Sequence, residues 1–430
     1  MKKQLLKDLV ELEHASVITP DIATRIKQYY AQKEANSGNR LLTIFGVLGA
    51  CLVGLGIILI IAHNWDDLGR LLKTCLAFLP LVIGQLIAVY VILKKRDSVP
   101  WRESAATFLF FAIGACISLV SQIYHIPGNL SGFLLTWTLL CLPVVYLLRS
   151  SMASLFYISG ITWFACETEY WSHGLVSGHY YWLLLAVVIP YYINLLRKQP
   201  EGNFTTFHNW FLALSVTISL GIFGKSDEEW LFPAYMCLFV CLYVIGEFPQ
   251  FSAVKRRNNG YLVIGSLGSL VLLLMLSFDW LWEDIHGEGL LMANLIKAPE
   301  FFAFVVTFCL ALFLLFRKNK LTREPFKNPM EIIFILFAGL FILGHFTVVV
   351  PLALINIAVL VIGLFYIRYG TRENHLGLLN FGLLIITALV VCRFFDADIS
   401  FVIRGLLFIG VGVGFFLANS RMLKKRKNHG

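Results

Sequence analysis

Two clusters of polar residues in this sequence combine side chains that could carry out acid–base chemistry. Each cluster lies at the C-terminal end of a long apolar segment. The clusters are His63, Asn64, Trp65 and Asp66 in the first, and Gln122, Tyr124 and His125 in the second. A histidine beside a carboxylate can act as a general acid or base on a bound substrate. The same groups could instead bind a cation or a polar headgroup in a shared, outward-facing pocket.

Helix termination explains the same residues without any chemistry. Trp65 and Tyr124 would then anchor helix ends at a membrane interface, where aromatic residues are enriched. Asn64 and Gln122 would cap backbone groups at those ends. Whether the two clusters meet depends on how their apolar segments pack, so both interpretations stay open at this stage.

A second candidate cluster lies near the C-terminus and is made of charged side chains. Its members are Arg393, Asp396, Asp398 and Arg404. The bases and acids are close enough in sequence to neutralise one another in a hairpin, and a functional cluster is the alternative. The nine cysteines all fall in apolar segments, which favours buried apolar roles. We predict no metal site and no cofactor.

The elements that must position these residues are membrane helices. The chain is 58% hydrophobic and only 14% charged, whereas soluble proteins carry about 25% charged residues. Residues 41–62 contain no charge and are long enough to cross a bilayer core, which needs about 20 residues. The pattern predicts an all-α polytopic transmembrane bundle of about fourteen spans. They are 41–62, 71–93, 104–124, 130–148, 152–170, 179–196, 205–224, 231–247, 260–278, 299–316, 330–346, 349–367, 375–394 and 399–419.

The distribution of basic residues orients these spans. With the N-terminus in the cytoplasm, 29 of the 35 Lys and Arg residues fall on the cytoplasmic side, as the positive-inside rule requires. An even number of spans, with both termini cytoplasmic, preserves this bias. Fourteen is therefore the predicted number, and twelve is the alternative.

The predicted spans divide the chain into four regions. Residues 1–40 are predicted to form a cytoplasmic amphipathic helical hairpin, whose second helix starts with Thr19 as N-cap and Pro20 at the first helical position. Residues 41–170 hold spans 1–5, residues 171–419 hold the further membrane helices, and residues 420–430 form a basic cytoplasmic tail. The longest outer loop is predicted at 279–298.

Ionisable residues are scarce inside the predicted spans, and no acidic residue lies at mid-depth. This counts against a proton- or sodium-driven transporter, because such proteins place coupling carboxylates within the membrane. The basic residues at cytoplasmic helix ends are predicted to contact anionic membrane lipids, and no nucleic acid is expected as a partner.

The two polar clusters also carry a family resemblance. Their most specific pieces are Ala62, Asn64, Trp65 and Asp66, and then Gln122, Ile123, Tyr124, Pro127 and Gly128. With the N-terminal hairpin and the glycine-rich first span, they resemble a bacterial integral-membrane family catalogued as domain of unknown function 2157. The resemblance covers about residues 5–165. It implies a multi-pass protein of the bacterial inner membrane and brings no established reaction, so no catalytic residue is carried over.

Three functions fit this sequence. A transporter or flippase for an envelope-related or lipid-linked molecule is favoured by the many spans and short loops. A non-catalytic scaffold or sensor, binding a protein partner through residues 1–40, comes second. An envelope enzyme using the outward His/Asp/Tyr cluster is the least favoured. A homo-oligomer is left open.

The substitutions Asn64→Cys and Tyr124→Cys, made together in a variant without other cysteines, should form a disulfide in the membrane if the two polar clusters face each other. The matched control pairs Asn64→Cys with Lys94→Cys, at a predicted cytoplasmic helix end. Gel mobility before and after reduction measures the crosslink. Equal crosslinking of the two pairs, or none in the first, would contradict a shared outward site.

Overall fold

All regular structure in the described part of the chain is helical. The computed structural model describes residues 17–63, 69–171, 177–224, 228–252, 256–288, 298–322 and 328–396, with isolated positions between 9 and 15 and between 405 and 416. The main helices are α1 Pro20–His63, α2 Arg70–Lys94, α3 Val99–Ile123, α4 Leu130–Leu147, α5 Ser151–Cys166, α6 Tyr180–Lys198, α7 Asn203–Leu220, α8 Leu231–Gly246, α9 Gly260–Met275, α10 Trp280–Glu288, α11 Pro299–Thr322, α12 Pro329–Gly344, α13 Val349–Arg372 and α14 Leu376–Asp396. A π-helical turn, Glu167–Trp171, extends α5.

The length and composition of these helices make the chain a multi-pass membrane protein. Eight described helices are long and apolar enough to cross a membrane, and α9 with α10 adds a ninth if the bent pair is one span. Leu42–Gly56, Leu231–Gly246 and Pro329–Gly344 are apolar but shorter. Each of the first thirteen predicted spans overlaps one helix, whereas most of 399–419 lies outside the described residues. The number fourteen stays a prediction.

The predicted N-terminal hairpin lies only partly within the described residues, and its second arm runs into the first apolar segment. As predicted, α1 begins at Pro20, and the Ala23 amide donates to the Thr19 carbonyl at 3.0 Å. Glu13 lies 4.0 Å from Lys27, which joins the preceding segment to α1. Because α1 continues unbroken to His63, the second arm of the hairpin and the first predicted span are a single helix.

The chain divides into two compact units, Met1–Tyr191 and Tyr192–Gly430. In the first unit α3 is central and packs against α1, α2, α4 and α5. Small buried residues, including Ala105, Ala106 and Gly114, allow these neighbours to approach closely. The Trp137 ring of α4 lies directly over Gly114, and its indole nitrogen donates to the Phe110 carbonyl at 2.9 Å.

Helices α1 and α3 pack side by side and run in the same direction. Gly46 of α1 faces Ser104 of α3, and further along the two helices Gly54 faces Phe111. The glycines thus form the close-packing face that small residues spaced four apart provide in membrane helices. Since both helices advance together, their C-terminal ends lie on the same side of the first unit.

The second unit is organised around α8, which packs against α7, α9, α11 and α12. Most of its residues are buried, as expected for a helix that is apolar on all sides. A separate close pair is formed by α13 and α14. There the main chain at Gly382 approaches Ile367, leaving no room for a side chain.

The predicted outer loop at 279–298 begins with a helix, and its remaining residues up to 297 lie outside the described residues. Helix α10 turns by 78° from α9. Trp282 is fully buried, and its indole nitrogen donates to the Leu276 carbonyl at 2.7 Å. The Trp282 ring fills the space above Gly344 of α12. Trp280, by contrast, is exposed, as an interfacial tryptophan would be.

Gly265→Ala should destabilise the second unit, since the added methyl group would lie 2.6 Å from the Phe239 carbonyl oxygen of α8. Such overpacking costs about 1–3 kcal/mol. Gly339→Ala is the matched control, because a methyl group there meets nothing within 4 Å. Thermal unfolding midpoints in the same detergent measure the effect. Equal midpoints for the two variants would contradict the close α8–α9 packing.

Candidate functional site

The second polar cluster terminates α3 through a defined backbone turn. His125 adopts a left-handed conformation with φ of 52°. The Ile126 amide donates to the Ser121 carbonyl at 2.9 Å, and the Ser121 hydroxyl donates to the Ile126 carbonyl at 3.0 Å. A left-handed residue followed by a hydrogen bond back across the last turn is the Schellman arrangement. Asn129 then caps α4 by accepting from the Gly132 amide at 2.9 Å.

The side chains of this cluster lie on the surface of the first unit. Gln122, Tyr124 and His125 are all exposed. The Tyr124 hydroxyl lies 3.2 Å from the Thr74 hydroxyl, within the first turns of α2. Tyr124 therefore contacts the helix that directly follows the first polar cluster in sequence.

The first cluster lies mostly outside the described residues. His63 ends α1, and nothing is described of its side chain, while Asn64, Trp65 and Asp66 fall in the gap before α2. The parallel packing of α1 on α3 places His63, the last residue of α1, at the same side of the unit as the end of α3. A pocket shared by the two clusters stays a prediction.

The C-terminal cluster is represented in the described structure by Arg393. Its guanidinium donates to the Ser277 carbonyl and lies 3.4 Å from the Ser277 hydroxyl. The guanidinium also lies 5.3 Å from the centre of the Phe278 ring, at cation–π distance. Nothing is described of the Asp396 side chain, and Asp398 and Arg404 lie outside the described residues. The predicted grouping of these four residues stays a prediction.

Arg393 and Asn356 together stabilise the break between α9 and α10. The Asn356 amide donates to the Ser277 carbonyl at 3.3 Å. Carbonyls at a helix C-terminus carry partial negative charge and lack helical partners. A cation from α14 and an amide from α13 supply those partners at Ser277. We call Ser277, Asn356 and Arg393 the break group.

A buried charge cluster that sequence analysis did not anticipate joins three helices of the second unit. Lys318, near the end of α11, lies 2.9 Å from Glu331 in the first turn of α12. The same ammonium contacts Glu247, the C-cap of α8. Side-chain exposure is only 12% for Lys318, 20% for Glu247 and 3% for Glu331. We call these three residues the charge triad.

A network of neutral polar side chains lies beside the charge triad. Asn328 caps α12, and its side-chain amide donates to the hydroxyls of Tyr243 and Tyr366, the latter at 3.0 Å. The two hydroxyls lie 3.3 Å apart. The network ties α8 and α13 to the start of α12, so four helices meet at this polar layer.

The charge triad and the break group lie at opposite ends of the second unit. Along α13, Asn356 and Tyr366 are separated by about 15 Å, at 1.5 Å rise per residue. Between them, Val359 and Ile362 belong to a buried apolar core that also contains Phe334 and Phe337 of α12. An apolar layer therefore separates two polar layers.

The first unit contains a buried carboxylate of a different kind. Glu103 is 1% exposed and accepts hydrogen bonds from the Ser150 hydroxyl at 2.5 Å and the Met152 amide at 2.8 Å. The Ser151 amide adds a third at 3.1 Å. Glu103 thus caps the N-terminus of α5, where the helix dipole favours a negative charge. Its interactions account for its burial without a further role.

The charge triad escaped sequence analysis because its members look like ordinary helix-end residues. Lys318 lies in a basic run, and Glu331 follows an Asn-Pro helix start. The available signal was helical phase: Ala311, Leu314 and Leu315 are buried, and Lys318 follows them on the same face at the next turn. Arg317 and Lys320 are exposed.

Comparison with known proteins matches one part of the chain. Residues 11–154 match the family model described as predicted membrane protein (DUF2157). The resemblance predicted from the two polar clusters is thereby confirmed for the N-terminal region. The match covers α1–α4, and it ends before the second unit begins. No curated protein and no solved structure matches the chain.

Lys318→Met should strongly destabilise the protein, because it leaves two buried carboxylates without their shared cation. Removing one partner of a buried ion pair costs about 3–5 kcal/mol. Lys320→Met, two residues along the same helix and exposed, should leave stability nearly unchanged. Thermal unfolding in detergent measures both variants. A Lys318→Met midpoint equal to that of Lys320→Met would show that the ion pairs contribute nothing.

Proposed function

We propose that this multi-pass membrane protein is a transporter or flippase, and that its substrate is an envelope-related or lipid-linked molecule. The charge triad is the observation that carries the proposal. Ionisable side chains buried among membrane helices are costly, and where they occur they often mark a transport path or the gate that controls it. Glu247, Lys318 and Glu331 come from three different helices, so their contacts can break when the helices separate.

The layout of the second unit supports the same proposal. Polar contacts at two ends of the unit, which helix movements could break in turn, fit the alternating access of transporters. The charge triad and the Tyr243–Asn328–Tyr366 network hold one end closed. At the other end, the break group holds the bent α9–α10 pair against α13 and α14.

We place the protein in the bacterial cytoplasmic membrane with fourteen spans and both termini in the cytoplasm. The distribution of Lys and Arg supports this orientation, and the family match supports a membrane location. In this orientation the charge triad lies at the cytoplasmic end of the second unit.

A sensor is the second candidate, and the continuity of α1 favours it. Because one helix runs from Pro20 to His63, a protein bound at the N-terminal hairpin could displace the first membrane segment directly. Val17 and Ile22 of the hairpin are exposed apolar residues that a partner could cover. In the sensor the second unit would keep a single conformation.

A transporter should show two conformations at the triad end of the second unit. Spin labels at Lys320→Cys on α11 and Glu373→Cys after α13, both exposed positions, would report the distance between these helices in lipid nanodiscs. Pulsed electron–electron double resonance should give a shorter and a longer distance between the two labels. Glu331→Gln should increase the fraction of the longer one, because it weakens the contact between α11 and α12.

The matched control is Glu283→Gln, an exposed carboxylate on α10, which should leave the two fractions unchanged. A single distance in the wild-type protein, unaltered by Glu331→Gln, would contradict the transporter and favour the sensor.

A further inference from the structure

The composition of the charge triad leaves its charges unbalanced. Lys318 is one ammonium, and both Glu247 and Glu331 contact it. With all three groups ionised, one negative charge remains in a region where side-chain exposure is between 3% and 20%. An unbalanced buried charge is costly, and two carboxylates that share a site resist ionising together.

Among the described residues, the side chains around the triad supply hydrogen-bond donors, including the Tyr243 hydroxyl at Glu247, but no second buried cation. Tyr243 of α8 and Tyr366 of α13 are neutral phenols, and Asn328 at the start of α12 is a neutral amide. Arg256, on the turn between α8 and α9, acts electrostatically on Tyr366. Its side chain is exposed, so water screens most of its charge.

We propose that the charge triad is a proton-binding site in which Glu331, with 3% side-chain exposure the more buried of the two carboxyls, takes up one proton beside the Lys318 ammonium. The bound proton makes the site electrically neutral. It is taken up as an H⁺ from water at the end of the unit where the triad lies, and no other group gains or loses a bond. The site is occupied at low pH and empties as the pH rises.

Protonation also weakens the contacts that hold the three helices together. A protonated carboxyl attracts the Lys318 ammonium less than a carboxylate does. Proton binding therefore favours separation of α11 from α8 or α12. This coupling to opening rests on the proposed transporter function, whereas proton binding itself does not.

Infrared spectroscopy of the full-length protein in nanodiscs tests the proton site directly, since a protonated carboxyl has its own carbonyl stretching band. The wild-type protein should show a band component that disappears as the pH is raised. Glu247→Gln and Glu331→Gln should each lose this component, because either change leaves one carboxylate balanced by Lys318.

The loss in Glu247→Gln separates a proton that is bound because of the surplus charge from one that Glu331 would hold through burial alone, which Glu247→Gln would leave in place. Glu103→Gln is the matched control, since Glu103 is buried but has no lysine partner among its three hydrogen bonds; it should keep the triad component. In Lys318→Met the component should increase. If Lys318→Met does not fold, the Glu247→Gln and Glu331→Gln variants still test the proton site.

A wild-type spectrum without a pH-dependent component that Glu331→Gln removes would overturn the proton site. The spin-label distances described above separate this failure from failure of the transporter. If the proton opens the triad end, the fraction of the longer distance should rise at low pH in the wild type and stay constant with pH in Glu331→Gln. A pH-dependent infrared band without any change in distance would keep the proton site and contradict its coupling to transport.

Discussion

Lipid offers no hydrogen bonds and little screening of charge, so each polar group within a membrane helix must find its partner inside the protein. This constraint explains many of the side-chain hydrogen bonds among the described residues. Threonine and serine hydroxyls return to carbonyls one turn back, as Thr138 does to Leu134. Trp137 and Trp282 each donate their indole nitrogen to a carbonyl that packing leaves accessible. The backbone is helical wherever regular structure is described, for the same reason.

Helix ends and breaks are where the constraint is hardest to meet, because backbone groups there lose their helical partners. The chain meets it with side chains from other helices. Glu103 supplies acceptors to the start of α5. Arg393 and Asn356 supply donors to the carbonyl at the end of α9. Residues that look like isolated charges in sequence are therefore part of the structure of neighbouring elements.

The charge triad differs from these cases because its charges do not cancel. Glu103 is fully accounted for by three donors, whereas Glu247 and Glu331 share one ammonium. A purely structural ion pair would need only one of the two carboxylates. The second carboxylate makes the stability of this helix junction depend on a proton, and it gives the junction a means of responding to conditions in the adjoining water. The apolar core between the triad and the break group keeps the two polar ends separate.

Sequence alone determined the class of this protein and the places where its helices lie. Apolar segments long enough to cross a bilayer follow from composition, because lipid selects for them directly, and the start of α1 at Pro20 follows from local capping chemistry. The family resemblance likewise depended only on local motifs at the ends of α1 and α3. Tertiary structure decided which polar residues meet. Lys318 lies in a basic run like several others in the chain, and only the packing of α8, α11 and α12 turns it inward against two carboxylates. The same holds for Arg393, whose guanidinium contacts a carbonyl distant in sequence. Helix packing fixes the rotation of each helix about its axis, and local sequence specifies that rotation weakly when nearly every position is apolar.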